Sequence, residues 1–127
     1  MKIITTLSLL VALFACSAHA DVKLEDNSKL LGKWRVNAES LGLDKEKKAI
    51  NVSWDFHNNG ILSTISEDSL GRTSEMDIDI KYSVENGVIK KQSAPGREKY
   101  ELCSVIELEG VHMTVRCKGI YFFMTRK

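Results

Sequence analysis

Leu30-Leu31-Gly32-Lys33-Trp34-Arg35-Val36 is the stretch on which the fold turns. Leu31, Gly32, Trp34 and Val36 are set off by the charges of Lys33 and Arg35, so the alternation of a half-buried strand begins here. Gly32 shares a face with Trp34, and without a side chain it lets a large group approach closely. The expectation is that Trp34 plugs one end of a small barrel.

Downstream, the same alternation recurs. Ile50, Val52, Trp54 and Phe56 alternate with Asn51, Ser53, Asp55 and His57, which makes one large apolar face and one polar face. Asn58-Asn59-Gly60 supplies a hairpin turn, since Asn-Gly tolerates the positive φ angles of a tight reversal. Ile61 to Ser66 returns, and Met76, Ile78, Ile80, Tyr82 and Val84 alternate with Asp77, Asp79 and Lys81. Asn86-Gly87, Ser93-Ala94-Pro95-Gly96, Glu109-Gly110 and Lys118-Gly119 mark the remaining breaks. A two-residue turn at Glu109-Gly110 pairs Leu108 with Val111 and Ile106 with Met113. One at Lys118-Gly119 pairs Val115 with Phe122 and Met113 with Met124. Apolar partners then fall on one face, where a slip of one residue would invert every side chain. The pattern predicts an all-β fold: a single up-and-down antiparallel meander barrel of about eight strands. Closure removes exposed edges. The charged run from Ala38 to Lys48 reads as the longest loop, placed to lie over an open end.

Ahead of the first strand, Met1-Lys2 gives a positive start. Ile3 to Phe14 is an apolar core, and Ala18-His19-Ala20 is a cleavage signal before Asp21. Residues 1–20 are therefore expected to be a signal peptide, 21–29 a flexible arm, and 30–127 the barrel domain. The apolar run is too short to span a bilayer. The chain is expected in the periplasm or outside the cell, with lipidation at Cys16, after Leu13-Phe14-Ala15, as the alternative route. Without the leader and its Lys2, 17 basic residues balance 17 acidic ones. Neutrality argues against nucleic acid, whose binding needs several uncompensated phosphate contacts.

Cys103 and Cys117 remain, in a compartment that favours pairing. The register above conflicts with a bond between them. It puts Cys117 on the apolar side and Cys103 on the polar side with Glu101 and Glu107. A disulfide therefore requires a β-bulge or a three-residue turn between them.

With these elements in place, the chain resembles the bacterial lipocalin-like proteins of the calycin group. The residues that carry the resemblance are Gly32-Lys33-Trp34, which match the family's G-x-W, and Arg126 at the end of the last strand. Phe56-His57-Asn58-Asn59-Gly60 also looks like the hairpin common in such domains. The resemblance implies that Arg126 packs over Trp34, a structural end-plug formed with Gly32. It also implies a calyx.

The inward set from the pattern is Trp54, Phe56, Ile78, Ile80, Tyr82, Tyr100, Ile106, Met113, Phe122 and Met124. Of these, Trp54, Phe56, Ile80, Tyr82, Tyr100, Met113, Phe122 and Met124 are the candidate ligand-binding residues. The Tyr82 and Tyr100 hydroxyls would serve as orienting polar groups. The alternative is a filled core, because a barrel of this size is only just wide enough for side chains or one small ligand. The chain has no G-x-S-x-G elbow and no H-E-x-x-H pair, so no enzyme, metal site or cofactor is expected. Asp77 and Asp79 read as solvated surface, and His57 and His112 as exposed residues flanking turns. Two functions stay open. One is a carrier of a small hydrophobic ligand. The other is a protein-binding module, such as a protease or lysozyme inhibitor, acting through the arm Asp21–Lys29 or the tips Glu67–Ser74 or Ala94–Arg97.

Overall fold

The computed structural model describes residues 21–66 and 76–127. The expected leader, Cys16 and the tip Glu67–Ser74 lie outside the described residues. Eight strands follow in order: β1 (Gly32–Ser40), β2 (Lys48–Phe56), β3 (Ile61–Ser66), β4 (Met76–Glu85), β5 (Val88–Gln92), β6 (Tyr100–Glu109), β7 (His112–Cys117) and β8 (Ile120–Arg126). Each pairs antiparallel with its neighbour, and β8 closes onto β1, so the meander is a closed barrel. Among the described residues no helix is long and apolar enough to cross a membrane.

Local chemistry explains the tight reversals. Asn86 (φ 54°) and Gly87 (φ 83°) occupy the turn between the paired Glu85 and Val88. Lys118 (φ 48°) and Gly119 (φ 79°) do the same between Cys117 and Ile120. Two successive positive φ angles give the turn whose twist matches the flanking strands. The expected pairs Val115 with Phe122 and Met113 with Met124 are present.

The β6–β7 register differs from the expectation. The reversal falls on Gly110-Val111, one residue later, so that Glu109 faces His112 and Leu108 faces Met113. Gly110 takes φ 59° as the first central residue, which suits a turn of mirror-image type II. Ile106 is not an inward wall residue. It is the extra residue of a bulge between Val105 and Glu107. The bulge switches faces, so Cys103 and Val105 point inward and Tyr100 and Leu102 point out. Cys103 then stands directly opposite Cys117, and the two form the disulfide.

β1 runs past Asn37 to Ser40 through a second irregularity after Val36, so the loop before β2 is shorter than the charged run suggests. It lies beside the outer wall, with the Lys47 ammonium 4.1 Å from the Phe123 ring centroid.

Residues 21–29 are not a loose arm. Val22 donates its N–H to the Val105 carbonyl at 2.8 Å, and Leu24 donates to Gly87 at 3.0 Å. Leu24 and Leu30 are buried with the core. The apolar residues Val22 and Leu24 anchor a segment whose polar neighbours stay in water.

Candidate functional site

Pairing puts Trp34 opposite Trp54 and Arg126, Trp54 opposite Thr64, and Thr64 opposite Ile78. Tyr82 pairs with Lys91, Lys91 with Glu101, Cys103 with Cys117, and Cys117 with Ile120. Because residues opposite one another share a face, these pairs define the lumen all the way round.

The lower half of the lumen, toward the arm, is packed solid. Trp34, Phe56, Leu62, Ile89, Val105, Met113 and Val115 are fully buried there. The Trp34 indole donates its N–H to the Leu30 carbonyl at 2.8 Å. The Arg126 guanidinium lies 4.2 Å from the Trp34 ring centroid and donates to the carbonyls of Leu31 (2.7 Å) and Lys29 (2.9 Å). Gly32 leaves room for it, since a Cβ there would sit 3.1 Å from one guanidinium nitrogen. The floor is thus an indole capped by a cation, which ties the chain's end to the stretch before β1.

Several candidate ligand contacts belong to this sealed half. Phe56, Ile80, Tyr82, Met113 and Met124 are buried core. The Phe56 and Tyr82 rings meet edge to face at 5.1 Å between centroids. The Tyr82 hydroxyl donates to the His57 carbonyl at 2.7 Å and accepts from Asn27 at 3.1 Å, so both its roles are taken by protein. Burial pushes its phenol above the ordinary value, against the opposing effect of the Asn27 hydrogen bond. Tyr100 is a correction: it is 39% exposed on the outer wall, with the Lys90 ammonium 5.2 Å from its ring.

The upper half differs. Its floor is Trp54, which contacts Phe56 below (6.2 Å) and Phe122 beside it (5.5 Å). The inward residues Val52, Ile78, Ile120 and Phe122 are only half-buried, although their register places them inside the ring of strands. Lys91 and Glu101 join them. The two form an ion pair, with side chains only 12% and 15% exposed, and the ammonium sits 5.6 Å from the Trp54 ring centroid. Lys91 comes from β5 and Trp54 from β2, so the lysine reaches across the lumen. The other Glu101 oxygen lies 3.7 Å from the Lys118 ammonium.

Sequence reasoning missed Lys91 and Glu101. The signal was available, because Lys91 stands two residues from Ile89 in a strand with an apolar inner face.

Two other groupings bring chemically capable side chains together. Glu101, Cys103 and Cys117 cluster within 4.8 Å at ligand-bearing atoms. Both sulfurs are spent in the disulfide, so they offer no thiolate to a metal. On the outer face, His57 Nε2 lies 3.1 Å from the Ser63 hydroxyl and 3.6 Å from Asp55. Ser63, however, donates its proton to Asp79 at 2.7 Å, and one imidazole nitrogen makes both His57 contacts. A nucleophilic triad needs the serine aimed at one nitrogen and the carboxylate at the other. This is an exposed polar network.

Of the protein-binding candidates, Asp21–Lys29 is docked as described. The 94–97 tip is held by Arg97 donating to Ala94 at 3.3 Å and Gln92 donating to Arg97 at 2.9 Å. A groove of about 400 Å³ lies beside that tip, lined in part by Asp79, Lys81, Arg97 and Tyr100. A second of about 490 Å³ runs along the outer wall past Leu43, Thr114 and Phe123.

No protein-family model matches the chain, and no curated protein matches it. Its fold does match solved structures. A lipocalin-like protein from Bacteroides uniformis superposes with a TM-score of 0.64 at 17% identity, over 78% of this chain and 99% of that one. An uncharacterized protein from Bacteroides eggerthii gives 0.61 at 14% identity, over 76% and 98%. The likeness shows a lipocalin-like fold.

Proposed function

We propose that this is a non-enzymatic binding protein of the cell envelope whose site is the upper half of the barrel, where it takes up a small hydrophobic ligand. The observation that supports it most is the contrast between the two halves of one lumen. Below Trp54 the inward side chains are sealed. Above it, Val52, Ile78 and Phe122 face inward yet keep contact with solvent. Inward apolar surface left wet is surface a ligand would cover, with a gain of about 25 cal/mol per Å² removed from water. Fold likeness to a lipocalin-like protein agrees with this reading. The disulfide agrees with a periplasmic or secreted location.

A second reading, as a protein-binding module, is favoured by the pinned tip Ala94–Arg97 beside its groove.

Titration with the neutral probe N-phenyl-1-naphthylamine, followed through tryptophan fluorescence, separates the two. Binding at one site, lost in an Ile78→Trp variant that still folds, supports the cup. A wild-type protein that ignores the probe refutes it.

A further inference from the structure

We infer that β4 takes up an extended segment of a partner protein along its open edge, Met76–Ile80, and that the segment carries lysine or arginine opposite Asp77 and Asp79. The inference rests on the protein-binding reading rather than on the cup, and it names where a partner docks and by what chemistry.

Closing a barrel removes edges only where neighbouring strands overlap. On one side β4 pairs with β3 from Met76 to Lys81. On the other side its ladder with β5 begins only at Tyr82, opposite Lys91. No described strand lies beside β4 from Met76 to Lys81 on that side. Gln92 explains where the ladder stops. Its side-chain carbonyl accepts the Lys81 N–H at 2.8 Å, and its amide donates to the Arg97 carbonyl at 2.9 Å. One side chain thus makes the next bond of the ladder, while the chain turns off into a reversal in which Ser93 donates to Lys99 at 2.9 Å.

Backbone polar groups alternate sides along an antiparallel strand. Tyr82 donates its N–H to Gly60, just ahead of β3, at 2.9 Å. The Ile78 carbonyl accepts from the Thr64 hydroxyl on β3 at 3.2 Å. Asp77 and Asp79 are in phase with Lys81 instead, and aim their N–H and C=O groups at the open side. Those are the groups that an added strand bonds.

The side chains choose the partner. Asp77 and Asp79 are exposed on the outer wall, while Met76 (58% exposed) and the half-buried Ile78 stand on the inward phase. The edge has neither a proline nor a bulge, two of the usual guards against pairing. A second copy of β4, paired antiparallel about Ile78, would set Asp77 against Asp79 twice, and like charges directly opposite destabilise a ladder. A strand that alternates apolar and basic residues meets no such cost. Its cations stand opposite the two carboxylates, and its apolar side chains cover Met76 and Ile78. Below them, the groove of about 400 Å³ past Asp79, Lys81 and the Gly96–Glu98 tip receives the segment's end. Counting Lys81, Arg97 and Glu98 with the two aspartates gives two cations against three carboxylates, so the edge as a whole is acidic.

The test uses the processed protein and two end-capped, labelled heptapeptides: Thr-Val-Lys-Val-Lys-Val-Thr and its counterpart with glutamate for lysine. Fluorescence anisotropy should show the lysine peptide binding about tenfold more tightly, the scale of two favourable cross-strand pairs set against two like-charged ones. Methylating both lysine backbone nitrogens should abolish binding, because those N–H groups face β4 in an antiparallel pair. Methylating the first and last valine nitrogens, which face away, should leave it intact. In the free protein the Asp77 and Asp79 amides should exchange with solvent quickly and those of Ile78 and Ile80 slowly, and the peptide should slow the first pair. Asp77→Lys with Asp79→Lys should reverse the preference to the glutamate peptide, which a loss of structure would not do. Equal binding of the two peptides, or equal loss with either methylation, would overturn the inference. Binding that leaves exchange at Asp77 and Asp79 unchanged would also overturn it, and would leave protein binding standing at another surface. Failure of both peptides to bind would overturn the inference and count against the protein-binding reading; the cup, probed by the naphthylamine, is untouched by either result.

Discussion

Replacing Arg126 with Met keeps an apolar stem over Trp34 and removes the guanidinium. The structure allows the loss to be worked out piece by piece. The stacked cation over the indole, at 4.2 Å, contributes on the order of 0.5–2 kcal/mol depending on desolvation. The hydrogen bonds to the Leu31 and Lys29 carbonyls are charge-assisted, but Lys29 is exposed and its carbonyl can turn to water. About 1 kcal/mol each is a fair net value. The sum is roughly 2–4 kcal/mol, out of a total of about 5–15 for a domain of this size. That corresponds to a fall in Tm of roughly 8–16 °C, at about 4 °C per kcal/mol. The assay is urea unfolding followed by tryptophan fluorescence, with Arg126→Lys as companion. Lysine keeps the charge but lacks the planar fork, so it should recover less than half of the loss. Gly32→Ala tests the same contact from the other side. It places a Cβ 3.1 Å from the guanidinium at a backbone φ of 109°, and the double variant should show less than the sum of the single effects. A loss below about 0.5 kcal/mol in Arg126→Met, the ordinary effect of a surface change, would refute the reasoning.

Three further outcomes are expected. Reducing the disulfide, or the paired change Cys103→Ser with Cys117→Ser, should cost about 3 kcal/mol on the chain-entropy view of a loop of this length, with the β-sheet circular dichroism retained. A midpoint that does not move on reduction would contradict it. Phe56→Ala should cost about 3–5 kcal/mol, because the ring is fully buried against Trp54 and Tyr82; chemical denaturation measures this. Tyr82 should make the fold sensitive to alkali. Its pKa is raised in the folded state, so its contribution is intact below the unfolded value of about 10 and is lost as pH rises through the folded one. Stability measured between pH 9 and 11 should therefore fall more steeply in the wild type than in Tyr82→Phe, and parallel curves would count against it.

Much of this molecule is legible in its sequence. Period-2 alternation in Ile50–Phe56 and Met76–Val84, with reversals at Asn86-Gly87 and Lys118-Gly119, dictates an antiparallel meander, because side-chain period and turn chemistry are local properties. Trp34 as a plug near the chain's start is legible for the same reason. The faces of β6 are not. Whether Cys103 or Ile106 points inward depends on a bulge, which is favoured only once Cys117 stands opposite on a neighbouring strand. Nor can alternation separate the two halves of the lumen, since Phe56 and Phe122 carry the same inward signal. Closure of β8 onto β1 and the docking of Val22 and Leu24 seal the lower half. Lys91 over Trp54 is likewise a contact across the barrel, between strands β5 and β2. The sequence by itself determines the strands and most of their turns, the reversal at Gly110-Val111 and the end of β1 excepted. Only the closed ring decides which inward side chains are core and which meet solvent, because burial depends on what lies across the lumen.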